Sequence, residues 1–276
     1  MAENFIYYVI YSLISGFTAF FGVDATAHQR LLGLLTGRGE IDPVLTLSLR
    51  LGILGALLFS CAPRLQRLLR ERAHSSRSHR LKRPPDPIAQ LDLRLLRTAL
   101  MPILGGVLLN AKASSWISGF LLLSLTFLVN AVILFLPRVI ISGNKDGRSV
   151  SPLDGILLGL GSVIGSIPGF STMGCMLTAG AVGGLDRSYA LEMSLLLFIP
   201  LTLGLLVFDI IAVVAAKITL TFLTLVMYQM YGTLAFLCAL LSIVLMRYLA
   251  VKVGFTGFAY YSLGLALFSF VFYLVI

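Results

Sequence analysis

The sequence predicts an all-α integral membrane protein, a polytopic helical bundle built as an inverted repeat with two re-entrant, broken helix pairs. Three observations carry this prediction. Of 276 residues, 58% are hydrophobic and 12% are charged, where a soluble domain holds roughly 25% charged residues. Uncharged runs of bilayer-crossing length, about 20 residues for a helix, recur along the chain. Two of the apolar stretches carry glycine, proline or charge at their centres, where a simple crossing would carry none.

Taken in chain order, the stretch 5–39 opens with the uncharged run 5–23 but holds Gly16, Gly22, Asp24, His28, Gly33 and Gly37. It reads as a hairpin that leaves and returns on one side. A crossing follows at 43–63, with Arg50 inside it. Residues 64–97 then bring ten basic side chains, among them Arg64, Arg67, Arg70, Arg72, Arg77, Arg80, Lys82 and Arg83. Within this segment, 64–92 is expected to be a basic cytoplasmic loop, and the Ser-, Arg- and Pro-rich stretch 72–87 its mobile connector. Crossings at 93–111 and 115–136 come next, with Arg94, Arg97 and Lys112 able to snorkel at their ends. The run 155–185 has 31 uncharged residues, seven glycines before Gly183, and Pro168. It is too long for one crossing, and 153–185 reads as the second broken hairpin. Such backbone is tolerated at membrane depth only where protein or a water-filled cavity covers it. The last crossings are 188–213, which contains Glu192 and Asp209, then 218–246 and 254–276. Glu192 and Asp209 read as hydrogen-bonding groups between helices.

Charge orients the chain. Lys and Arg accumulate in cytoplasmic loops, so the basic segment is placed inside. Sixteen of the 21 basic residues then fall inside, and only Arg30, Arg38, Lys112 and Lys217 fall outside. Both termini face outward. The net charge of +9 therefore reads as topology, compatible with contact to anionic lipid headgroups. It does not read as a nucleic-acid site, because no aromatics interleave with the basic residues. Cys61, Cys175 and Cys238 show no CxxC spacing and read as small buried residues rather than metal or redox groups. Met1–Phe5 lacks a basic n-region, so no cleavable signal peptide is expected.

The two hairpins are alike. Gly16–Asp24 and Gly161–Gly169 each run from a glycine through mostly apolar residues to a chain breaker. Each is followed by a small-residue-rich piece, a Gly-rich turn (36–39 and 183–186), and a long apolar helix with glycines at Gly52 and Gly55 or at Gly204. The pseudo-repeats span 5–111 and 153–246, and they enter from opposite sides. Inverted repeats of this kind bring broken helices together near the bilayer midplane, where helix N-termini can hold an anion.

These same segments carry a family resemblance. The stretch from Ile167 to Met176 (IPGFSTMGCM), then Gly184-Leu185-Asp186-Arg187 and 194–200 (SLLLFIP), resembles the undecaprenyl-diphosphatase family. Its pattern reads Pro-Gly-x-Ser-Arg-Ser-Gly-x-Thr, Gly-Leu-Asp-Arg and Phe-Ser-Phe-Leu-Leu-x-Ile-Pro. Residues 15–28 (SGFTAFFGVDATAH) are similar to Glu-Gly-x-Thr-Glu-Phe-Leu-Pro-Ile-Ser-Ser-x-Gly-His, 49–52 to Ile-Gln-Leu-Gly, and 255–264 to Phe-x-x-Phe-x-x-Tyr-Arg-x-x-x-Gly. The resemblance implies a bacterial plasma (inner) membrane protein handling the lipid carrier of cell-wall synthesis. It implies no cofactor, or Mg or Ca if the chain is an active phosphatase, and it is compatible with a homodimer.

The side chains depart from the pattern. The family's two glutamates are Ser15 and Ala19 here, its phosphate-gripping arginine is Thr172, and the following Ser and Thr are Met173 and Met176. Gly16, Thr18, His28, Pro168, Gly169, Ser171 and Gly174 are retained. Cleaving a phosphoanhydride needs cationic clamping of the phosphate oxygens and a proton acceptor. Loss of one electrostatic donor costs about 10²–10³ in rate elsewhere. The expected function is thus binding or translocation of a polyprenyl phosphate by a catalytically degenerate relative. The alternatives are an active undecaprenyl-diphosphate phosphatase, or a transporter of an unrelated solute. The candidate ligand-binding set is Thr18, Asp24, His28, Arg50, Gly169, Ser171, Thr172 and Gly174, with His28, Asp24 and Ser171 as catalytic candidates. If helical, 24–28 puts Asp24 and His28 on one face. Asp24 and Arg50 then read as a relocated acid and phosphate clamp, or as a mutually neutralising ion pair. Ser171 reads as a helix N-cap or a nucleophile.

Placing the basic segment in the cytoplasm has a direct readout. A cysteine at Ser76→Cys, with Cys61, Cys175 and Cys238 changed to Ser, is expected to react with a membrane-impermeant maleimide in inside-out vesicles and not in intact cells.

Overall fold

The computed structural model of the chain describes residues 2–38, 41–77, 86–113, 116, 119–140, 143–218, 221–252 and 256–275. Ten helices run through the described residues: α1 (Ala2–Thr18), α2 (Ala25–Thr36), α3 (Pro43–Arg77), α4 (Pro87–Ala113), α5 (Phe120–Val139), α6 (Pro152–Gly165), α7 (Thr172–Val182), α8 (Arg187–Ala215), α9 (Phe222–Lys252) and α10 (Thr256–Val275). Segments Pro43–Ala73, Phe120–Val139, Arg187–Ala215, Phe222–Leu249 and Thr256–Val275 are long and apolar enough to cross a bilayer. The chain is an all-α, multi-pass membrane protein. The expected crossing at 93–111 lies inside α4, which is 27 residues long but carries more charge.

Both glycine-rich stretches are helix–break–helix pairs. The first interruption, between α1 and α2, contains Gly22 and Asp24. The second, between α6 and α7, contains Pro168 and Gly169. Local chemistry ends and starts these helices. Asp24, in extended backbone, caps α2 by accepting from the Ala27 N–H at 2.8 Å. Ser171 caps α7 by accepting from the Gly174 N–H at 3.0 Å. Asp186 caps α8 through the Tyr189 N–H at 3.0 Å. Each cap satisfies a donor that the helix cannot. Pro152 opens α6 at its first position, where its missing N–H costs nothing.

One expectation changes here. The 64–92 segment is not chiefly loop: α3 continues to Arg77 and α4 begins at Pro87. Leu68 is buried against the core, and the Arg67 guanidinium binds Asp86 across the gap, holding that carboxyl below its usual range. Helical packing of Leu65 and Leu68 overrides the polar composition. Residues 78–85, which contain Arg80, Lys82 and Arg83, lie outside the described residues, as do Gly39 and Phe255.

Packing crosses between the halves of the chain. α3 packs on α8 and α9, α4 on α6 and α8, α1 on α9, and α5 on α10. The main core lies among α3, α4, α7, α8 and α9. Lipid-facing positions are apolar, as at Phe59, Val139 and Val214. Gly52 and Gly232 let α3 and α9 meet backbone to backbone. A Cβ at Gly52 would collide with the Gly232 carbonyl oxygen, and one at Gly232 would press on the Ser48 carbonyl at 2.7 Å. Small residues at such crossings replace the hydrophobic drive that lipid cannot supply.

Gly52→Leu is therefore expected to force α3 from α9. Cavity-free overpacking of this kind costs about 1–3 kcal/mol or more, and the loss should appear as a lowered detergent-phase melting temperature, while Leu51→Ala on the exposed face should leave it nearly unchanged.

Candidate functional site

The two breaks meet and are stitched together. Asp24 Oδ2 accepts from the Gly169 N–H at 2.7 Å, besides capping its own helix. Ser171 Oγ donates to the Phe21 carbonyl at 3.0 Å, and the Ser171 N–H donates to Asn130 Oδ1 at 2.8 Å. The Asn130 amide in turn donates to Ser262 Oγ at 2.9 Å and approaches the Gly22 carbonyl at 3.5 Å. Asn130 belongs to α5 and Ser262 to α10, so a second helix pair braces the junction. Gly169 holds a left-handed backbone, φ +96, in which a side chain would be strained. Breaks in an apolar setting leave N–H and C=O groups that must find partners, and here each break supplies them for the other.

His28 is turned toward this brace. Its Nδ1 lies 2.6 Å from the Asp24 carbonyl, which can only accept, so Nδ1 carries the proton. Nε2 then accepts from the Tyr261 hydroxyl at 3.0 Å. The two rings stack 2° from parallel, and Phe127 meets the imidazole edge-on. The expected side-chain pairing of Asp24 and His28 does not form. As an N-cap, Asp24 points its carboxylate along the helix axis at the first-turn N–H groups, not out along the face His28 occupies.

A cavity of about 160 Å³ opens beside the junction. Asp24, Ala25 and Thr26 at the start of α2, Thr172 at the start of α7, and Arg50 on α3 line it, with Gln29, Asn110 and Thr202 as neutral hydrogen-bonding groups. Ser15 and Ala19 also line it; the Ser15 hydroxyl donates to the Tyr11 carbonyl and accepts from Gln29. Asn110 donates to the Ser166 carbonyl at 3.0 Å. Two positive helix ends and a guanidinium thus border one concave space, an arrangement suited to an anion. The expected Asp24–Arg50 ion pair is replaced by another. Arg50 Nε lies 2.6 Å from Asp209 Oδ2 on α8, because the Asp24 carboxylate is already taken by backbone N–H groups.

Of the other sequence candidates, Thr18 bonds its own helix at the Ile14 carbonyl, and Thr172 bonds the Gly165 carbonyl while facing the cavity. The Gly169 and Gly174 N–H groups serve Asp24 and Ser171. Sequence reasoning missed Asn130, Asn110 and Tyr261. A buried asparagine in an apolar run was the available signal, since polar groups inside the membrane are costly without partners. Glu192 bridges helices by hydrogen bonds as expected, whereas Asp209 joins α8 to α3 through its ion pair with Arg50. Glu192 meets Arg247 at 2.7 Å, and Arg247 also donates to Ser60 Oγ at 2.9 Å.

Residues 8–268 match the family model described as Bacitracin resistance protein BacA. The chain is 26% identical over 265 residues to an undecaprenyl-diphosphatase of Thermosipho africanus, covering 95% of this chain and 98% of that protein. It is 31% identical over 206 residues to an undecaprenyl-diphosphatase of Methanobrevibacter smithii, covering 71% and 73%. An undecaprenyl-diphosphatase of a Synechococcus species is 28% identical over 196 residues, covering 70% and 68%.

Asn130→Leu strands the Ser171 N–H in an apolar interior, and a buried unsatisfied donor costs about 1–3 kcal/mol. A clear fall in melting temperature is expected from Asn130→Leu, and a smaller one from Tyr261→Phe, both read by scanning fluorimetry in detergent.

Proposed function

Because the chain belongs to the Bacitracin resistance protein BacA family, we propose that it acts on the headgroup of a polyprenyl diphosphate, as an undecaprenyl-diphosphatase-type membrane phosphatase. The observation that carries this reading is the single cavity bordered by both broken-helix starts and by Arg50. In this reading the headgroup enters the cavity and Arg50 clamps phosphate oxygens. Thr26, Gln29, Asn110 and Thr172 offer neutral hydrogen bonds around it. A water attacks the terminal phosphorus, the bond to the bridging oxygen breaks, and the lipid leaves as its monophosphate with inorganic phosphate as the second product. Asp24 is the carboxylate lining the cavity, and its Oδ1, not the Oδ2 that the Ala27 and Gly169 N–H groups hold, accepts the water's proton. His28 and Ser171 support the junction and do not touch substrate. The cross-packing of α1 on α9 and of α6 on α4 supports the view of 5–111 and 153–246 as inverted copies that build one midplane site.

The donor set does not fit a resident metal. Among the described residues no three His, Cys, Asp or Glu side chains gather, and Asp24 Oδ2 already takes two backbone N–H groups. Mg²⁺ usually needs one or two free carboxylates besides phosphate oxygens. No step is therefore routed through a metal.

A second reading is favoured by one observation: Ser15 and Ala19 face the cavity where the family pattern has its glutamates. A chain that grips the headgroup without those acids would bind or translocate a polyprenyl phosphate without cleaving it.

The two are separated by phosphate release from undecaprenyl diphosphate by purified protein, with and without Mg²⁺ or Ca²⁺. Release above the protein-free rate is expected, lowered about 10²–10³-fold by Arg50→Gln and removed by Asp24→Asn. Absence of release beside an active relative would leave the binding or translocation reading.

A further inference from the structure

We propose that Arg50 exchanges Asp209 for the incoming anion, so that headgroup binding is coupled to uptake of a proton by the Asp209 carboxyl. The inference rests on the cavity being a headgroup site and adds how that site handles charge. Arg50 lines the cavity and is paired with Asp209, which does not line it. Both side chains are largely buried, 23% and 12% exposed. Their contact is ionic only: no aligned hydrogen bond reaches Asp209 Oδ2. A buried carboxylate normally takes several donors, and a buried ion pair without them is a weak one. The terminal nitrogens of Arg50 make no hydrogen bond among the described residues, so they are the donors left to offer.

Among the described residues the ion pair of Asp209 is with Arg50; Lys112, in the last turn of α4, which packs on α8, has an interaction of its own. On α3 the next cation is Arg64, which lies with Asp92 of α4 and Glu192 of α8 in a separate cluster. On α9, Arg247 is engaged by Glu192. Helix α7 carries no charged side chain, and Arg30 of α2 bears on Asp24 and Tyr11 rather than on Asp209. Of the charged side chains lining the cavity, Arg50 is the cation and Asp24 the acid; Arg50 is paired with Asp209, and Arg30 acts on Asp24. An anion that captures Arg50 strands Asp209 in a low-dielectric interior. Isolated buried carboxylates take a proton rather than stay charged. Anion in and proton in leaves the net charge unchanged. The shared ligand chemistry is a phosphate- or sulfate-type oxyanion, on a lipid or free.

The test uses the full chain in detergent and farnesyl sulfonate, a non-titrating anion joined by a non-hydrolysable C–S bond to a short polyprenyl tail. Calorimetry in buffers of differing ionisation enthalpy counts the protons. Uptake approaching about one proton per bound anion is expected, with affinity falling by up to about tenfold per pH unit on the alkaline side. Asp209→Asn should abolish the uptake and flatten the pH profile. The neutral pair Arg50→Gln with Asp209→Asn, which leaves no unpaired charge to unfold the protein, should lose both binding and uptake. Binding without proton exchange, or uptake that vanishes with Asp24→Asn and survives Asp209→Asn, would overturn the proposal. No binding at any pH would overturn it together with the headgroup site. Missing phosphate release with coupled binding intact would sink only the phosphatase reading. Tighter binding of farnesyl sulfonate than of methanesulfonate assigns the anion to a lipid headgroup, and equal binding to a free ion; the coupling holds in either case.

Discussion

The structure depends on one constraint: backbone interrupted inside an apolar medium must have every polar group answered from within the protein. Two interruptions meet here, and most of their needs are complementary. Asp24 answers the donor at Gly169, Ser171 answers the acceptor at Phe21, and Asn130 reaches both segments from α5. Each break leaves a backbone group that the other answers, so the halves of the chain are tied to each other at this point. The crossed packing of the long helices follows, since α3, α4, α8 and α9 must surround the junction to keep it from lipid.

The same commitment decides which side chains are available for chemistry. Groups that look catalytic in isolation, His28 and Ser171, have both hydrogen-bonding sides occupied. At the far end of α3 and α8, the Arg64, Asp92, Tyr189, Glu192 and Arg247 cluster is richly cross-bonded. Arg50 differs in having one imperfect partner and an open face. Reactivity toward a ligand is set less by residue type than by what the folded chain has left unsatisfied.

Much of the fold could be read from residue order. The breaks at Gly22–Asp24 and Pro168–Gly169, the capping role of Ser171 and the helix-bridging roles of Glu192 and Asp209 all follow from local chemistry. The partners did not. Asp24 to Gly169 is a contact across 145 positions, and nothing in the spacing of Asp24 and His28 reveals that an N-cap carboxylate points away from the i+4 side chain. Arg50 could be seen to need an acid and the sequence pointed to Asp24; Asp209 takes that place because backbone N–H groups claim the Asp24 carboxylate. The extension of α3 to Arg77 was hidden by Ser and Arg content that argues for loop, because the burial of Leu68 is a tertiary effect.

The stitch between the first and second breaks also has a temporal side. The segment holding Asp24 emerges from the ribosome long before the segment holding Gly169, at synthesis rates of about 5–20 residues per second. Through that interval Asp24 has only the Ala27 N–H of its own helix, and the Phe21 carbonyl lacks the Ser171 hydroxyl. The amino-terminal hairpin is therefore a client that must wait, and insertion machinery or neighbouring lipid has to tolerate it until α6 and α7 arrive. The cavity is complete only once α6 and α7, which bring Gly165 and Thr172 to its lining, have been made.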